Sequence, residues 1–268
     1  MEAKQLQHKK SFINYYIYGN GPGIVLCFHG YGETARMFKF LAKYSGDLYT
    51  FYSIDLPFHG ETKWNEGLNF TLNDLTQIVR KIIVNNDKKF SLMGFSLGCR
   101  VCLSLFPQMP ERIEKIILLA PDGLKMNRWY WLATQTHWGN KLFLFTINRP
   151  ALFFGILKLM NKLKLVNLSI YKFVSFYIGD KEVRNLLYTR WTTLRKIRPG
   201  IKIIKSFIRK HKTPVRLIYG NHDRIILSSV GEKFKKGIED YCTLSIIHSG
   251  HQVLHEKHVE EILPALLQ

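Results

Sequence analysis

The chain has 268 residues, of which 46% are hydrophobic and 22% are charged. It can therefore bury a full core, and its composition excludes disordered and fibrous proteins. The formal net charge is +19 at pH 7, and 17 basic residues against two acidic ones fall between Lys141 and Lys212, so the excess charge belongs to one segment.

The N-terminal residues MEAKQLQHKK are polar and lack the apolar core of a signal peptide, so we expect a cytoplasmic protein. Short apolar runs then alternate with helix-like stretches over about 12–123 and from about 214 to the end. This alternation predicts an α/β fold with a mostly parallel central sheet and helices on both faces. The predicted strands are Phe12–Tyr18, Ile24–Phe28, Thr50–Ile54, Phe90–Met93, Ile113–Leu119, Val215–Tyr219 and Thr243–Ile247.

One predicted helix begins at Thr71, where a Thr-x-x-Asp capping box precedes an apolar face, and a last helix is predicted over about Leu254–Leu267. Between residues 124 and 205 the alternation stops, and aromatic, basic, helix-like sequence replaces it. We therefore predict a core of residues 1–123 and 206–268 and an inserted, mainly helical cap of residues 124–205.

The clearest helix of the predicted cap has apolar residues at alternating spacings of four and three, with lysines off that face. These lysines recur too often for a membrane-spanning helix. The apolar residues are Leu152, Ile156, Leu159, Leu163, Val166, Ile170, Phe173 and Tyr177, and the lysines are Lys158, Lys162, Lys164 and Lys172.

Residues 94–98 read Gly-Phe-Ser-Leu-Gly between a predicted strand and a predicted helix. This is the context of a nucleophile elbow, in which a serine sits on a sharp turn. Glycines are expected on both sides because a Cβ would clash between the strand and the helix. The pattern makes Ser96 the candidate nucleophile.

A serine hydroxyl needs a base and an acid that orients the base. Asp223 follows the strand Val215–Tyr219 and His251 follows the strand Thr243–Ile247, so both lie at the carboxyl ends of strands, where open α/β sheets place their sites. Asp122, after the strand Ile113–Leu119, competes for the role of the acid.

Other histidines compete for the remaining roles. His248, His255 and His258 are alternatives to His251 as the base, and the spacing of 251, 255 and 258 allows a zinc site, although the Glu of H-E-x-x-H is missing. His29 and His59 are expected to shape loops through bonds to backbone groups, with substrate contact as the alternative.

An oxyanion intermediate needs backbone N–H donors aimed at one point. Leu97 supplies one directly after the candidate nucleophile, at the start of a helix where the dipole also favours negative charge. Tyr31 lies in the glycine-flanked turn that follows the strand Ile24–Phe28 and supplies a second candidate.

Taken together, these motifs resemble the α/β-hydrolase superfamily, of the capped serine hydrolase type, over the whole chain outside the cap. The resemblance implies Ser96, Asp223 and His251 as a catalytic triad with the N–H groups of Tyr31 and Leu97 as oxyanion hole. One departure is Cys99, where many relatives have a glycine. The motifs are HGYGE at 29–33, DLPFHGET at 55–62, GFSLG at 94–98, PERIEKIILLAPDG at 110–123, YGNHD at 219–223 and SGHQVLHE at 249–256.

The expected reaction is hydrolysis of a small-molecule carboxylic ester or thioester through an acyl-serine intermediate, without cofactor or metal. Phe28, Phe95 and the cap aromatics favour a lipophilic acyl chain. Relatives with this triad also cleave carbon–carbon bonds or amides, and a non-catalytic ligand-binding homologue is a further alternative. Serine at position 96 argues against dehalogenases and epoxide hydrolases, which use an aspartate.

The basic cap allows three interpretations: a solvated face over a leucine core, a surface for anionic membrane lipid, or a surface for an acidic substrate or acyl-carrier partner. Peripheral membrane association is therefore an expectation for this segment, whereas the sequence has no nucleic-acid-binding motif. The four cysteines lie in apolar runs and are expected to be buried free thiols.

Overall fold

The computed structural model describes residues 2–83, 88–163 and 177–267, without the side chain of Met160. The described strands form one eight-stranded sheet in the order β1-β2-β4-β3-β5-β6-β7-β8. The strands are β1 Glu2–His8, β2 Ser11–Tyr18, β3 Gly23–Phe28, β4 Tyr49–Ile54, β5 Phe90–Phe95, β6 Ile113–Leu119, β7 Val215–Gly220 and β8 Cys242–Ile247.

Strands β3 to β8 run parallel to one another, whereas β2 pairs antiparallel with both β1 and β4. The predicted α/β-hydrolase fold with a mostly parallel sheet is therefore confirmed. Because parallel strands end at one edge, the loops after β3, β5, β6, β7 and β8 meet there. All candidate catalytic residues lie in these loops.

Strand β1 was not predicted from the sequence. It is an edge strand paired with β2 through a tight turn in which Lys9 has φ of 54°. Along β1 only His8 is buried, so the strand lacks the apolar run that marks the other strands. Its backbone pairing, rather than side-chain burial, holds it to the sheet.

The described helices include ten α-helices. Their bounds are α1 Lys39–Tyr44, α2 Leu72–Ile82, α3 Leu97–Leu105, α4 Arg128–Gln135, α5 His137–Asn148, α6 Pro150–Lys162, α7 Lys181–Thr193, α8 Ile201–His211, α9 Ser228–Lys235 and α10 Val259–Leu267.

Helix α2 begins with the predicted capping box between Thr71 and Asp74. The Asp74 carboxylate also binds His8 Nε2 at 3.0 Å and Lys9 Nζ at 2.5 Å, which ties the β1–β2 turn to this helix. Burial alone would raise the pKa of Asp74, but the hydrogen bonds from Lys9, Thr71 and His8 together hold it well below its ordinary value.

The chain divides into two compact units. The core unit comprises Met1–Glu66, Phe70–Lys125 and Lys196–Gln268, and the insert unit comprises Gly67–Asn69 and Met126–Arg195.

The predicted boundary between residues 205 and 206 falls inside α8, which belongs wholly to the core unit. The reason is that α8 is amphipathic and buries Ile204 and Ile208 completely, while Phe207 packs edge-on against Phe106. That the insert unit acts as a cap stays a prediction.

Within the insert unit, aromatic side chains hold α5 against α7. The Phe143 ring centroid lies 5.3 Å from that of Tyr188 and 5.8 Å from that of Trp191. On the apolar face predicted for the clearest cap helix, called here the seam, Leu152, Ile156, Leu159 and Leu163 are exposed rather than packed. Of the rest of that predicted helix, Val166, Ile170, Phe173, Lys164 and Lys172 lie outside the described residues, whereas Tyr177 is described and half-buried.

Among residues 2–83, 88–163 and 177–267, no single helix is long and apolar enough to cross a bilayer. Helix α5 and the part of α6 up to Leu159 together have the length and apolar composition of a span, but they are bent by 99° relative to each other.

Candidate active site

Ser96 occupies the sharp turn between β5 and α3 with a backbone φ of 49° and ψ of −113°, a strained conformation for a residue with a side chain. The two flanking glycines are required by close packing. A Cβ on Gly94 would lie 2.6 Å from the backbone N of Cys99, and one on Gly98 would lie 1.8 Å from the carbonyl oxygen of Phe28. These contacts bear out the expected reason for glycine on both sides.

The loops after β7 and β8 bring Asp223 and His251 to Ser96. His251 Nε2 lies 3.0 Å from Ser96 Oγ, and His251 Nδ1 lies 2.8 Å from Asp223 Oδ2. One imidazole thus bridges a hydroxyl and a carboxylate. The side chain of Asp223 is fully buried, whereas that of His251 is 22% exposed. Solvent therefore reaches the Ser96–His251 hydrogen bond more readily than the His251–Asp223 hydrogen bond.

The second carboxylate oxygen of Asp223 is also engaged. Oδ1 accepts hydrogen bonds from the backbone N–H groups of Ile225 at 2.7 Å and Ile226 at 3.0 Å. Two fixed donors on Oδ1 leave Oδ2 aimed at His251, so the orientation of the carboxylate is set by the backbone. Backbone donors such as these carry no signal in the residue pattern, and only the loop conformation reveals them.

Asp122 follows β6 at the same sheet edge, but it has a different partner. Its carboxylate accepts a hydrogen bond from the guanidinium of Arg100, whose side chain is 9% exposed, and from the N–H of Gly123. Arg100 was missed by the sequence analysis. The signal was present, because an arginine inside the apolar helix LGCRVCLSL needs a buried partner.

The other histidines make separate contacts. His248 pairs with Asn221, His255 accepts a hydrogen bond from the N–H of Lys257, and burial lowers the pKa of His258. In the part of the chain that the structure describes, no three His, Cys, Asp or Glu residues are grouped to hold a metal ion.

The loop after β3 passes close to Ser96. A Cβ on Gly30 would lie 2.8 Å from the Phe95 ring and 3.4 Å from Ser96 Cβ. The fully buried His29 accepts a hydrogen bond at Nε2 from the N–H of Leu56 and therefore donates from Nδ1 to the carbonyl of Gly30. Its two ring nitrogens are thus satisfied by backbone groups, and they fix the start of the turn that carries Tyr31.

Leu97 is the first residue of α3, and the first N–H groups of a helix have no partner within it. Leu97 directly follows Ser96, and Tyr31 lies in the loop after β3, whose Gly30 passes close to Ser96. That their N–H groups form an oxyanion hole stays a prediction.

A family model described as "Serine aminopeptidase, S33" matches residues 20–258. The chain belongs to this family of α/β hydrolases. The uncharacterized hydrolase YugF of Bacillus subtilis (strain 168) is 25% identical over 247 residues, which cover 91% of this chain and 89% of that protein. A pimeloyl-[acyl-carrier protein] methyl ester esterase of Nitrosomonas europaea is 22% identical over 87% of this chain and 90% of its own length.

Among solved structures, a thermophilic esterase from Thermogutta terrifontis superposes on this hydrolase with a TM-score of 0.69. The sequences are 16% identical, and the match covers 100% of this chain and 98% of the other. This likeness concerns the fold. The family membership makes the chain a hydrolase, as the motifs at the sheet edge predict.

Two phenylalanines of the hydrolase were predicted to contact substrate. Phe28 is 0% exposed and Phe95 is 2% exposed. The Phe95 ring packs against the His251 ring, with centroids 5.5 Å apart. The structure therefore gives both rings a packing role, and contact with substrate stays a prediction.

All four cysteines of the hydrolase are free and buried. Cys99 Sγ lies 3.0 Å from the carbonyl oxygen of Gly94 and 3.4 Å from that of Leu119. Burial raises the pKa of the Cys99 thiol well above its ordinary value. The side chain that replaces a glycine behind the elbow is therefore a neutral packing group rather than a second nucleophile.

Proposed function

We propose that the chain is a serine hydrolase that cleaves carboxylic esters or thioesters through an acyl-Ser96 intermediate. The observation that carries the proposal is the single imidazole of His251, which lies within hydrogen-bonding distance of both Ser96 Oγ and Asp223 Oδ2. This is the arrangement in which a base can take the proton of a hydroxyl while an acid holds the base in the correct tautomer.

In the first half of the reaction, His251 Nε2 accepts the Ser96 hydroxyl proton as Oγ bonds to the carbonyl carbon. The negative charge on the former carbonyl oxygen is stabilised by the N–H groups of Tyr31 and Leu97. The tetrahedral intermediate then collapses, and the leaving alcohol or thiol takes the proton from His251. In the second half, water repeats these steps and releases the acid.

The names of similar proteins support an ester as the substrate rather than another acyl compound. The Nitrosomonas protein is named as a methyl ester esterase and the Thermogutta protein as an esterase, whereas the family description names an aminopeptidase. An ester or thioester also has a better leaving group than an amide, so the same machinery needs less assistance to expel it. We therefore place amide and carbon–carbon cleavage second.

A fluorophosphonate probe tests whether Ser96 is an activated nucleophile. We expect covalent labelling of the wild type and none of Ser96→Ala. The matched control is Ser104→Ala, two turns further along α3 and 3% exposed, which should label normally. A folded wild type that stays unlabelled would support the non-catalytic alternative, and a labelled Ser96→Ala would move the nucleophile elsewhere.

A panel of p-nitrophenyl esters of increasing acyl length, one acyl thioester and one amino-acid anilide tests the substrate class. The proposal expects the esters or the thioester to be hydrolysed much faster than the anilide, with longer acyl chains preferred. Faster hydrolysis of the anilide would replace ester cleavage with amide cleavage while leaving the role of Ser96 intact.

A further inference from the structure

Helix α5 of the insert unit is apolar on two sides. One side packs inward, because Ile147 is 3% exposed and Phe143 contacts the aromatic rings of α7. The other side carries Trp138, Leu142 and Phe145, which are 80%, 63% and 49% exposed. Their spacing of four and three places them on one helix face. That face has no function in packing α5 within the described protein.

Helix α6 repeats this arrangement. Its buried side chain is Leu157, at 6% exposed, whereas Leu152, Ile156, Leu159 and the following Leu163 are each between 57% and 61% exposed. These four residues follow the same helical spacing. Trp129 on α4 is 78% exposed as well. Large apolar residues this exposed occur singly on most proteins, whereas several on one helix face indicate an interaction site.

The segment that carries these exposed apolar residues is positively charged. Residues 128–163, which hold α4, α5 and α6, contain five basic residues and no acidic residue, and all five basic residues are exposed. The set comprises Arg128, Lys141, Arg149, Lys158 and Lys162.

We propose that α4, α5 and α6 form a surface, called here the interfacial surface, that docks on an anionic lipid bilayer. Exposed tryptophan and leucine beside lysine and arginine, without acidic residues, is the composition of helices that lie in the membrane interface. Charge complementarity selects anionic lipid, because each exposed cation near such a surface strengthens binding.

The interfacial surface lies on the bilayer and does not cross it. Helix α5 has 12 residues and α6 has 13, so each is roughly 20 Å long, shorter than the hydrocarbon thickness of about 30 Å. The bend of 99° between them means that the pair does not form one straight helix of greater length. The surface is independent of the proposed catalytic chemistry, so either proposal can fail alone.

Flotation of the folded 268-residue chain with vesicles tests the proposal. The probes are vesicles of phosphatidylcholine alone and of phosphatidylcholine with about one third phosphatidylglycerol. We expect binding to the second kind, weakened by salt. Lys158→Glu with Lys162→Glu should weaken this binding by more than about tenfold, since each lost cation alone is expected to cost about fivefold.

A matched charge control is Lys233→Glu with Lys236→Glu, two exposed lysines at the end of α9 in the core unit. This variant has the same net charge and should bind nearly as the wild type does. An equal loss in both variants would mean that binding reflects overall charge, and the interfacial surface would be rejected.

Apolar substitutions test insertion separately. Trp138→Ala with Leu142→Ser should weaken vesicle binding. The blue shift in tryptophan emission that the wild type shows on vesicles should decrease but persist in part, because the exposed Trp129 belongs to the same surface. The control is Leu48→Ser with Ile203→Ser, whose side chains are 54% and 57% exposed in the core unit. Circular dichroism establishes that each variant is folded.

Two outcomes would overturn the proposal. One is a folded wild type that does not float with anionic vesicles at low salt. The other is binding to a purified acyl-carrier protein, lost in the interfacial variants, without vesicle binding, which would assign the surface to an acidic protein partner instead.

Discussion

Replacing Asp223 with asparagine changes one oxygen of the carboxylate into an amide NH2 group. The orientation of the new side chain follows from the hydrogen bonds already present. The N–H groups of Ile225 and Ile226 both donate to Oδ1, so the amide oxygen must occupy that position. The NH2 group then occupies the position of Oδ2, which lies 2.8 Å from His251 Nδ1.

This orientation determines the tautomer of the imidazole. An NH2 group can only donate, so His251 Nδ1 must become the acceptor and the ring proton moves to Nε2. Nε2–H would then point at Ser96 Oγ, 3.0 Å away, and could no longer accept its proton. The equivalent substitution in a serine protease lowers kcat by about 10⁴, which corresponds to about 5.4 kcal/mol in the activation barrier.

The assay is ester hydrolysis by purified Asp223→Asn, compared with the wild type and with Asp122→Asn. We expect a fall in kcat of about 10⁴ for Asp223→Asn. Asp122→Asn should retain most of the activity, because Asp122 binds Arg100 rather than His251. A near-normal kcat for Asp223→Asn, with Asp122→Asn inactive but folded, would refute the tautomer argument and transfer the role to Asp122.

Two further predictions concern stability. Gly98→Ala should destabilise the fold by about 3 kcal/mol in urea unfolding, because its Cβ would meet the carbonyl oxygen of Phe28. The control Gly155→Ala, with nothing within 4 Å of its Cβ, should stabilise the fold by about 0.5–1 kcal/mol. Equal effects of the two substitutions would contradict the packing argument. Asp74→Asn should cost about 2 kcal/mol at neutral pH. Because the pKa of Asp74 in the folded state is lowered from 3.8, its stabilising effect is present above about pH 4 and declines as the pH falls further. A difference in unfolding free energy between variant and wild type that is the same near neutrality and at about pH 3 would contradict this expectation.

The parts of the fold that were predicted correctly are those where packing restricts the residue types. The elbow could be identified because close contacts with neighbouring backbone permit only glycine at positions 94 and 98. The central strands β3, β5, β6 and β7 could be identified because both of their faces are buried, which requires continuous apolar runs. Strand β1 was not predicted because it is an edge strand held by backbone hydrogen bonds, which do not require any pattern of apolar and polar side chains.

The insert unit was harder to interpret for a different reason. Apolar periodicity shows that a helix has an apolar face, but not what covers that face. The seam that includes Leu152 and Ile156 was correctly placed on one face of a helix, yet in the structure that face is exposed. The same sequence pattern thus fits a core helix and an interfacial helix, and only the exposure of the apolar side chains in the structure distinguishes them.

The choice between the two candidate acids shows what sequence can and cannot decide. Asp122 and Asp223 both follow parallel strands, β6 and β7, that end at one sheet edge, so position alone does not separate them. Arg100, in the helix that follows Ser96, binds the Asp122 carboxylate, and the backbone N–H groups of the loop after β7 orient the Asp223 carboxylate toward His251. The orienting role therefore depends on which carboxylate is left without a cation, because a carboxylate already paired with arginine would stabilise a neighbouring imidazolium less.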